Sequence, residues 1–195
     1  MGPGAGAGAG DSGGSGGAVT LCIENTVGSG AHLGGPWEHL RDMREAIVAL
    51  APRGSASRVG FCIDTCHAHA FGHDMSTEAG ARAALDALDK VAGLEHVKVL
   101  HLNDSKGACG SRLDRHEHVG EGTIGLEGFR AVVNHPALAR IPKILETPKE
   151  DTPKGTPWDT VNLRRLRRMI RDEPASSGDA APVTPRRGRR AAAGR

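Results

Sequence analysis

Four short apolar runs, rich in valine, isoleucine and leucine, recur along the chain and constrain its fold more than any other feature. Segments whose apolar residues have helical spacing lie between these runs and after the last one. The runs are AVTLCIEN (18–25), SRVGFCIDT (57–65), HVKVLHLND (96–104) and IPKILETP (141–148), and the helical segments begin PWEHLRDMREA, TEAGARAALDA, GLEGFRAVV and WDTVNLRRL. Continuous apolar strands that alternate with helices are typical of a parallel sheet covered by helices, so the sequence predicts an α/β fold.

Acidic residues and histidines stand at the ends of these predicted strands. In parallel α/β folds the functional residues gather at the carboxyl ends of the strands, which share one edge of the sheet. A single acid after a strand often caps the next helix, but an acid or histidine at every strand end predicts a site. The residues are Glu24, Asp64 with His67, His101 with Asp104, and Glu146.

The segment HLNDSKGACGSRLDRHEHVGEG (101–122) is too long for a tight connection and is rich in ionisable groups. Loops of this length inside compact domains are usually functional. Asp114 and His116 are two residues apart, so in an extended loop both side chains project to the same side and can share a metal ion. His67 lies three residues beyond Asp64, so these two can face one cavity from different heights.

Carboxylates mixed with imidazoles are ligands that favour zinc or manganese over a cysteine-type structural zinc site. More candidate ligands are present than one tetrahedral ion can use, so the sequence predicts a multinuclear site. In hydrolases such sites generate a hydroxide nucleophile and neutralise a phosphate and its leaving oxygen. The spacing alone does not identify the substrate.

The two ends of the chain differ from its apolar centre. Residues 1–17, MGPGAGAGAGDSGGSGG, hold almost no side chain that a core could bury, and residues 172–195 lack apolar periodicity. Both ends are predicted to be disordered, which leaves one domain at 18–171. Ten of the 25 basic residues are arginines from Arg164 onward, so the basic tail either contacts phosphate or nucleic acid or is simply solvated.

Cysteine usage and the tail bear on the compartment. The four cysteines lie in the central part without a regular disulfide spacing, and reduced thiols indicate an intracellular protein. The PRRGRR stretch is similar to a nuclear-localisation patch, so the nucleus is the predicted compartment, with an organelle as the alternative. No apolar run approaches the ~20 residues of a membrane span, so no membrane contact is predicted.

Four motifs, in order, carry a resemblance to a known family. They are IENTVGSG, CIDTCHAHAFGHD, HLNDSKGACGSRLDRHEHVGEGTIG and ILETP. They resemble the successive motifs of endonuclease IV, the metal-dependent apurinic/apyrimidinic endonucleases of DNA base-excision repair. The resemblance implies a TIM-barrel enzyme with two or three zinc ions, or manganese, at the carboxyl ends of the strands. It also implies abasic-site DNA as substrate, with a metal-held hydroxide attacking the phosphate 5′ to the abasic site.

The resemblance also implies roles for single residues. Glu24 in IENT matches the glutamate that bridges two zinc ions, and it is the predicted catalytic residue because it orients the attacking hydroxide. The other ligands of one of those ions match Asp64, His101 and Glu146. The ligands of a further zinc match His67, Asp114 and His116.

Other residues near these motifs are predicted from their surroundings. Lys106, Arg112 and Arg115 on the long loop are candidates for contact with DNA phosphates, with solvated loop charges as the alternative. His69 and His73 stand where the family has aromatic residues, and exposed positions around the metal ligands are expected for both. Cys66 is expected to pack in the core.

The resemblance covers only the last four of the eight β/α units of such a barrel. The two histidines that complete the remaining zinc site come from earlier strands in the family, so a missing N-terminal half or a second copy is expected to complete the barrel. Two other interpretations stay open. One is a catalytically deficient remnant that binds zinc and DNA, and the other is a sugar isomerase on a related barrel.

Overall fold

A computed structural model of the chain describes residues 19–170. The disordered ends predicted for 1–17 and 172–195 therefore lie outside the described residues. A four-stranded parallel sheet, in the order β1-β2-β3-β6, forms the centre of the fold. The strands are β1 (Leu21–Glu24), β2 (Val59–Asp64), β3 (Val97–His101) and β6 (Lys143–Ile144), and a separate antiparallel pair consists of β4 (Asp104–Ser105) and β5 (His116–Glu117).

The sheet register brings the strand ends together. β2 is buried along its whole length, as expected for a central parallel strand whose apolar run does not alternate. Asp64, the last residue of β2, pairs with His101, the last residue of β3. His101 pairs in turn with Ile144, and Glu24 pairs with Cys62 in β2. The carboxyl ends of all four strands consequently meet at one edge of the sheet.

Helices cover the sheet as the apolar spacing predicts. The core between helices and sheet includes the fully buried side chains of Leu40, Phe61, Leu88, Leu100 and Phe129. The α/β prediction and the order of its elements are therefore confirmed, and no helix within residues 19–170 is long and apolar enough to cross a bilayer. The helices are α1 (Trp37–Leu50), α2 (Thr65–Phe71), α3 (Glu78–Ala92), α4 (Gly125–Val133) and α5 (Trp158–Met169).

Two local elements differ from the prediction. The residues after Asp64 form helix α2, because the Asp64 carboxylate accepts a hydrogen bond from the backbone N–H of His67 and so caps the helix. The long segment predicted as a loop is closed at its base by the β4–β5 pair, in which Ser105 lies opposite His116. Both elements hold predicted ligands, so these two corrections decide how the site is built.

The two outer strands of the sheet have free edges within the described part of the chain. β1 pairs only with β2, and β6 pairs only with β3. Leu21 in β1 is 52% exposed and Ile144 in β6 is 46% exposed. Apolar side chains at an unpaired edge of this kind favour association with a further strand.

Candidate metal centre

Four predicted ligands meet where the strands end, and we call them the strand-end group. Each supplies one ligand atom, and these atoms all lie within 4.8 Å of one another. The positions follow from the sheet register, because every member stands at the end of a parallel strand or two residues beyond it. The members are Glu24, Asp64, His101 and Glu146.

His101 lies at the centre of the strand-end group. Its ring nitrogen Nδ1 is 3.0 Å from Glu146 Oε2, 3.3 Å from Glu24 Oε1 and 3.7 Å from Asp64 Oδ2. The same nitrogen is buried and makes no hydrogen bond. Ligand atoms of a tetrahedral zinc site are about 3.3–3.4 Å apart when each is about 2.0–2.1 Å from the ion. The spacing and the unpaired nitrogen both fit a divalent cation held between these side chains.

Three other predicted ligands form a second group, which we call the loop group: His67, Asp114 and His116. His67 Nε2 and His116 Nε2 are 3.3 Å and 3.6 Å from Asp114 Oδ1, and the two nitrogens are 3.5 Å apart. These distances describe a nearly equilateral triangle, which is one face of a tetrahedral zinc site. The loop group therefore offers three ligands and leaves a fourth position for water or substrate.

The outer ring nitrogens of both loop-group histidines contact backbone carbonyls. His67 Nδ1 is 3.0 Å from the carbonyl oxygen of Asn25, and His116 Nδ1 is 3.2 Å from that of Glu146. A histidine that binds metal through one nitrogen usually donates the N–H of the other to such an oxygen. When each Nδ1 donates to its carbonyl oxygen, the Nε2 of each ring is the nitrogen available to a metal ion.

Glu24 and Asp64 connect the two groups. Asp64 Oδ2 is 3.7 Å from His101 Nδ1 and also 3.7 Å from His116 Nε2. Glu24 Oε1 is 3.3 Å from His101 Nδ1 and 3.3 Å from His67 Nδ1. The seven side chains thus make one continuous cluster with room for more than one ion, rather than two separate sites.

The charges of the cluster are unbalanced towards the carboxylates. Burial raises the pKa of Asp64, against the opposing effect of the nearby His67 and His116. Burial also acts to raise the pKa of Glu24, but hydrogen bonding to His67 and the charge of His101 outweigh it and hold the pKa below its ordinary value. Burial acts to lower the pKa of His67, but Glu24, Asp64 and Asp114 raise it to about 9. The carboxylates of the cluster consequently stabilise positive charge on the groups that lie between them.

Two additional histidines were expected at exposed positions, and the structure corrects this expectation. His69 is buried in α2, where its Nδ1 accepts a hydrogen bond from the backbone N–H of Met75 at 3.1 Å. His73 is half-buried and stacks on Trp37, with ring centroids 4.0 Å apart. The expectation failed for His69 because α2 turns its side chain into the protein, and for His73, two residues beyond the end of α2, because its ring packs on Trp37. Cys66 is buried, as expected for a packing residue.

The three residues predicted to contact DNA lie between β4 and β5, in the segment that we call the hairpin loop. They differ in whether their side chains also pack against the rest of the protein. Lys106 and Arg115 are exposed, and their nearest polar contacts are Glu117 at 3.8 Å and the Asp114 carbonyl at 2.6 Å, respectively. The Arg112 guanidinium lies 3.9 Å from the centre of the Phe71 ring and donates to the carbonyl of Val27. Arg112 is thus also used in packing, and a role in DNA contact stays a prediction for all three.

Two buried asparagines, Asn25 and Asn103, contact the ligands and were not predicted. The Asn25 side chain bonds to the backbone N–H and carbonyl of Asp64. Asn103 donates to Asp64 Oδ2 at 2.6 Å and accepts from the backbone N–H of Glu146 at 2.8 Å. Their signal in the sequence is an amide one or two residues after a strand-end ligand, in IEN and HLN.

The fold and the cluster together define an α/β protein of the TIM-barrel type with candidate metal ligands at the carboxyl ends of its strands. The chain belongs to the family described as "Xylose isomerase-like TIM barrel", which matches residues 9–171. The fold class expected from the sequence is therefore confirmed.

Comparisons with single proteins agree with the predicted resemblance to endonuclease IV. The chain is 47% identical to a probable endonuclease 4 of Halobacterium salinarum over 76% of this chain and 51% of the relative. It is also 47% identical to a probable endonuclease 4 of Solibacter usitatus over 68% of this chain and 44% of the relative. The crystal structure of endonuclease IV from Thermus thermophilus matches with a TM-score of 0.62 and 39% identity, over 77% of this chain and 49% of that one. The chain thus spans about half the length of the curated relatives it matches.

Proposed function

We propose that this chain provides a metal-dependent endonuclease site that cleaves DNA 5′ to an abasic site, as in base-excision repair. The observation that carries the proposal is the cluster of seven ligands. The ligand atoms of the strand-end group lie within 4.8 Å of one another, and those of the loop group form a triangle with sides of 3.3 Å, 3.5 Å and 3.6 Å. The endonuclease 4 relatives supply the reaction class.

In this proposal the strand-end group holds one ion and the loop group holds another, with zinc favoured by the mixture of carboxylates and imidazoles and manganese as the alternative. When bound, such ions supply Lewis-acid stabilisation of phosphate charge and lower the pKa of a coordinated water. Glu24 Oε1 lies beside Nδ1 of His101 in the strand-end group and beside the outer nitrogen, Nδ1, of His67, and its lowered pKa keeps it ionised. Its carboxylate is therefore the group that accepts a hydrogen bond from the attacking water and orients it.

The substrate side of the proposal rests on the hairpin loop. Lys106 and Arg115 are exposed cations on the same segment as Asp114 and His116. Phosphate contacts of this kind position a DNA backbone without reading its sequence. The Arg112 guanidinium packs on the ring of Phe71, so we assign Arg112 mainly a role in keeping the shape of this surface.

A nicking assay tests the proposal directly. The purified chain, loaded with zinc or manganese, is incubated with a duplex that carries one abasic site and with a matched duplex that carries none. EDTA-sensitive cleavage 5′ to the abasic site, leaving a 3′-hydroxyl, is expected only for the first duplex. Binding of the abasic duplex without cleavage would instead favour a remnant that binds metal and DNA. Turnover of an aldose in a separate isomerisation assay would favour the sugar-isomerase alternative.

The unpaired edges of β1 and β6, within the described residues, are places where further strands can join the sheet. The exposed apolar side chains of Val19 and Leu21 line a groove of about 340 Å³ beside β1, and such an edge favours a further strand. We propose that further β/α units, from an N-terminal half or from a second copy, pair along β1 and β6. Light scattering on the purified chain, alone and with the separately expressed N-terminal half of a relative, distinguishes the two.

A further inference from the structure

The buried side-chain amide of Asn103 hydrogen-bonds to two members of the strand-end group. It is fully buried just beyond β3. Its amide Nδ2 donates to Asp64 Oδ2 at 2.6 Å, and its Oδ1 accepts from the backbone N–H of Glu146 at 2.8 Å. Asn103 thereby connects the end of β2 to the end of β6 across the strand that lies between them.

The main chain of Asn103 is fixed as firmly as its side chain. Its N–H donates to Thr65 Oγ1 at 3.0 Å, and its carbonyl accepts from the same hydroxyl at 2.7 Å. Thr65 is itself buried at the start of α2. The backbone from which the amide projects is therefore fixed by two hydrogen bonds to one buried hydroxyl.

The oxygen that Asn103 contacts is the one shared by both groups. Asp64 Oδ1 is used to cap α2 through the N–H of His67, so only Oδ2 faces the cluster. Oδ2 lies 3.7 Å from both His101 Nδ1 and His116 Nε2. The Asn103 amide thus sets where this oxygen stands relative to two sets of ligands.

We propose that Asn103 is a positioning residue that holds Asp64 and Glu146 in the geometry required for metal binding. The inference rests on the proposed function, because it assumes that the strand-end group binds metal. Partners of metal ligands that fix their orientation typically contribute about 10–100-fold to metal affinity. Asn103 positions Asp64 and Glu146 through its two hydrogen bonds and is not itself one of the proposed metal ligands.

Asn25 provides a matched control. It is also a buried asparagine beside Asp64, but its amide bonds to the backbone N–H and carbonyl of Asp64, at 2.7 Å and 3.1 Å, and not to the carboxylate. Loss of either amide removes buried hydrogen bonds and lowers stability. Only the loss of Asn103 leaves Oδ2 of Asp64 without its amide donor, while Oδ1 still accepts from the His67 N–H.

The experiment compares Asn103→Ala and Asn25→Ala with the unmodified chain. Zinc affinity is measured by competition with a chromophoric chelator, the geometry of the site by the visible absorption of the cobalt-loaded protein, and folding by circular dichroism. Asn103→Ala is expected to weaken zinc binding about 10–100-fold and to change the cobalt spectrum. Asn25→Ala is expected to lower the melting temperature and to leave the cobalt spectrum as it was.

Each outcome separates this inference from the proposed function. A folded Asn103→Ala protein that binds zinc as tightly as the unmodified chain would overturn the role of Asn103 and leave the proposed function standing. An unmodified chain that binds no zinc would overturn the proposed function as well. If Asn103→Ala does not fold, Asn103→Ser supplies the test, because its hydroxyl is too short to reach both partners and the same weakening is expected.

Discussion

The strand-end group and the loop group hold similar side chains but are built in different ways. The strand-end group stands on four parallel strands, so the hydrogen-bond register of the sheet places its members. The loop group comes from helix α2, the hairpin loop and β5. Asp64 in the first group is completely buried, whereas the Asp114 side chain in the second is 57% exposed. The strand-end ligands are therefore placed by the hydrogen bonds of the sheet, and the loop ligands by the packing of the hairpin loop on α2.

The contacts that hold the hairpin explain how the loop group stays in place. The backbone N–H of Lys106 donates to the carbonyl of Arg115 at 2.9 Å, which closes the loop. The thiol of Cys66 also contacts that carbonyl, at 3.7 Å, and ties the loop to α2.

The backbone N–H groups of Gly110 and Arg112 also donate to carbonyls of α2, those of His69 and Ala70. The loop group thus depends on loop packing, whereas Asp64 is placed by the sheet and faces both groups. We therefore expect substitutions in the loop group to affect one ion and substitutions at Asp64 to affect both.

The largest effect is expected at Asp64, the residue common to both groups. Asp64→Asn keeps the size of the side chain but removes its charge, and it should remove most of the bound zinc, about two equivalents by elemental analysis. Because the new side-chain NH2 would either face the Asn103 Nδ2 donor or replace the oxygen that caps α2, the metal-free variant should also lose about 1–3 kcal/mol of stability.

Asp104→Asn is the matched control for this prediction. Asp104 is also fully buried, but its carboxylate accepts only from backbone N–H groups, including those of Gly120 and Ile124. This variant should lose about 1–3 kcal/mol of stability and keep its zinc. If Asp64→Asn retained the full zinc content, the idea of a shared ligand would be wrong.

A smaller loss is expected in the loop group. His116→Ala and Asp114→Ala should each remove about one zinc equivalent and leave the strand-end ion in place. Each variant leaves the loop ion two ligands of its own besides the Asp64 oxygen that it shares with the strand-end ion, and this reduced set should bind zinc too weakly to retain it. His118→Ala is the control, since His118 is buried two residues further on and stacks on Trp158 at 4.1 Å. It should lower the melting temperature without changing the zinc content. Unchanged stoichiometry in both loop-group variants would contradict the assignment.

Metal removal should show how the two groups contribute to stability. At free zinc about 100 times the dissociation constant, binding stabilises the folded state by about 2.7 kcal/mol, which EDTA should abolish in a thermal melt. Asp114→Ala should keep part of this shift and Asp64→Asn should show almost none. Equal shifts in both variants would mean that the two groups do not differ as proposed.

The smallest effects are expected for the arginines of the hairpin loop. Arg115→Ala should weaken DNA binding and reduce the slope of log affinity against log salt by about 1, with little change in stability. Arg112→Ala removes the contact with Phe71 and should lower stability by about 0.5–1 kcal/mol. Salt titrations of DNA binding and thermal melts on both variants measure this difference. A reversed pattern would exchange the roles assigned to the two arginines.

The strands and the long helices could be predicted because their patterns are local. A continuous run such as VGFCID in β2 and the apolar spacing of α3 need no distant partner to be recognised. Helix α2 could not be predicted in the same way, since TCHAHAF is short and has no apolar stripe. It forms because Asp64 caps it and Cys66 and Ala70 are buried beneath it.

The candidate ligands could be predicted from their positions at strand ends and in the DRH motif, but their grouping could not. Asp114 and His116 are near each other in sequence, whereas His67 is 49 residues from His116 and meets it only through the hairpin. The burial of His69 and the bridging role of Asn103 likewise depend on partners far away in the chain.

The sequence by itself determined the α/β class, the family and the identity of the seven candidate ligands, because each of these is written in a local pattern of residue types. Only the tertiary structure decided which ligands face one another, that Asp64 Oδ2 is common to both groups, and that Asn103 orients it. The physical reason is that a hydrogen bond requires its donor and acceptor to be about 2.7–3.2 Å apart, and a zinc ion requires each ligand atom to be about 2 Å from it. Such distances are fixed by sheet register and loop packing, which join residues that the sequence keeps apart.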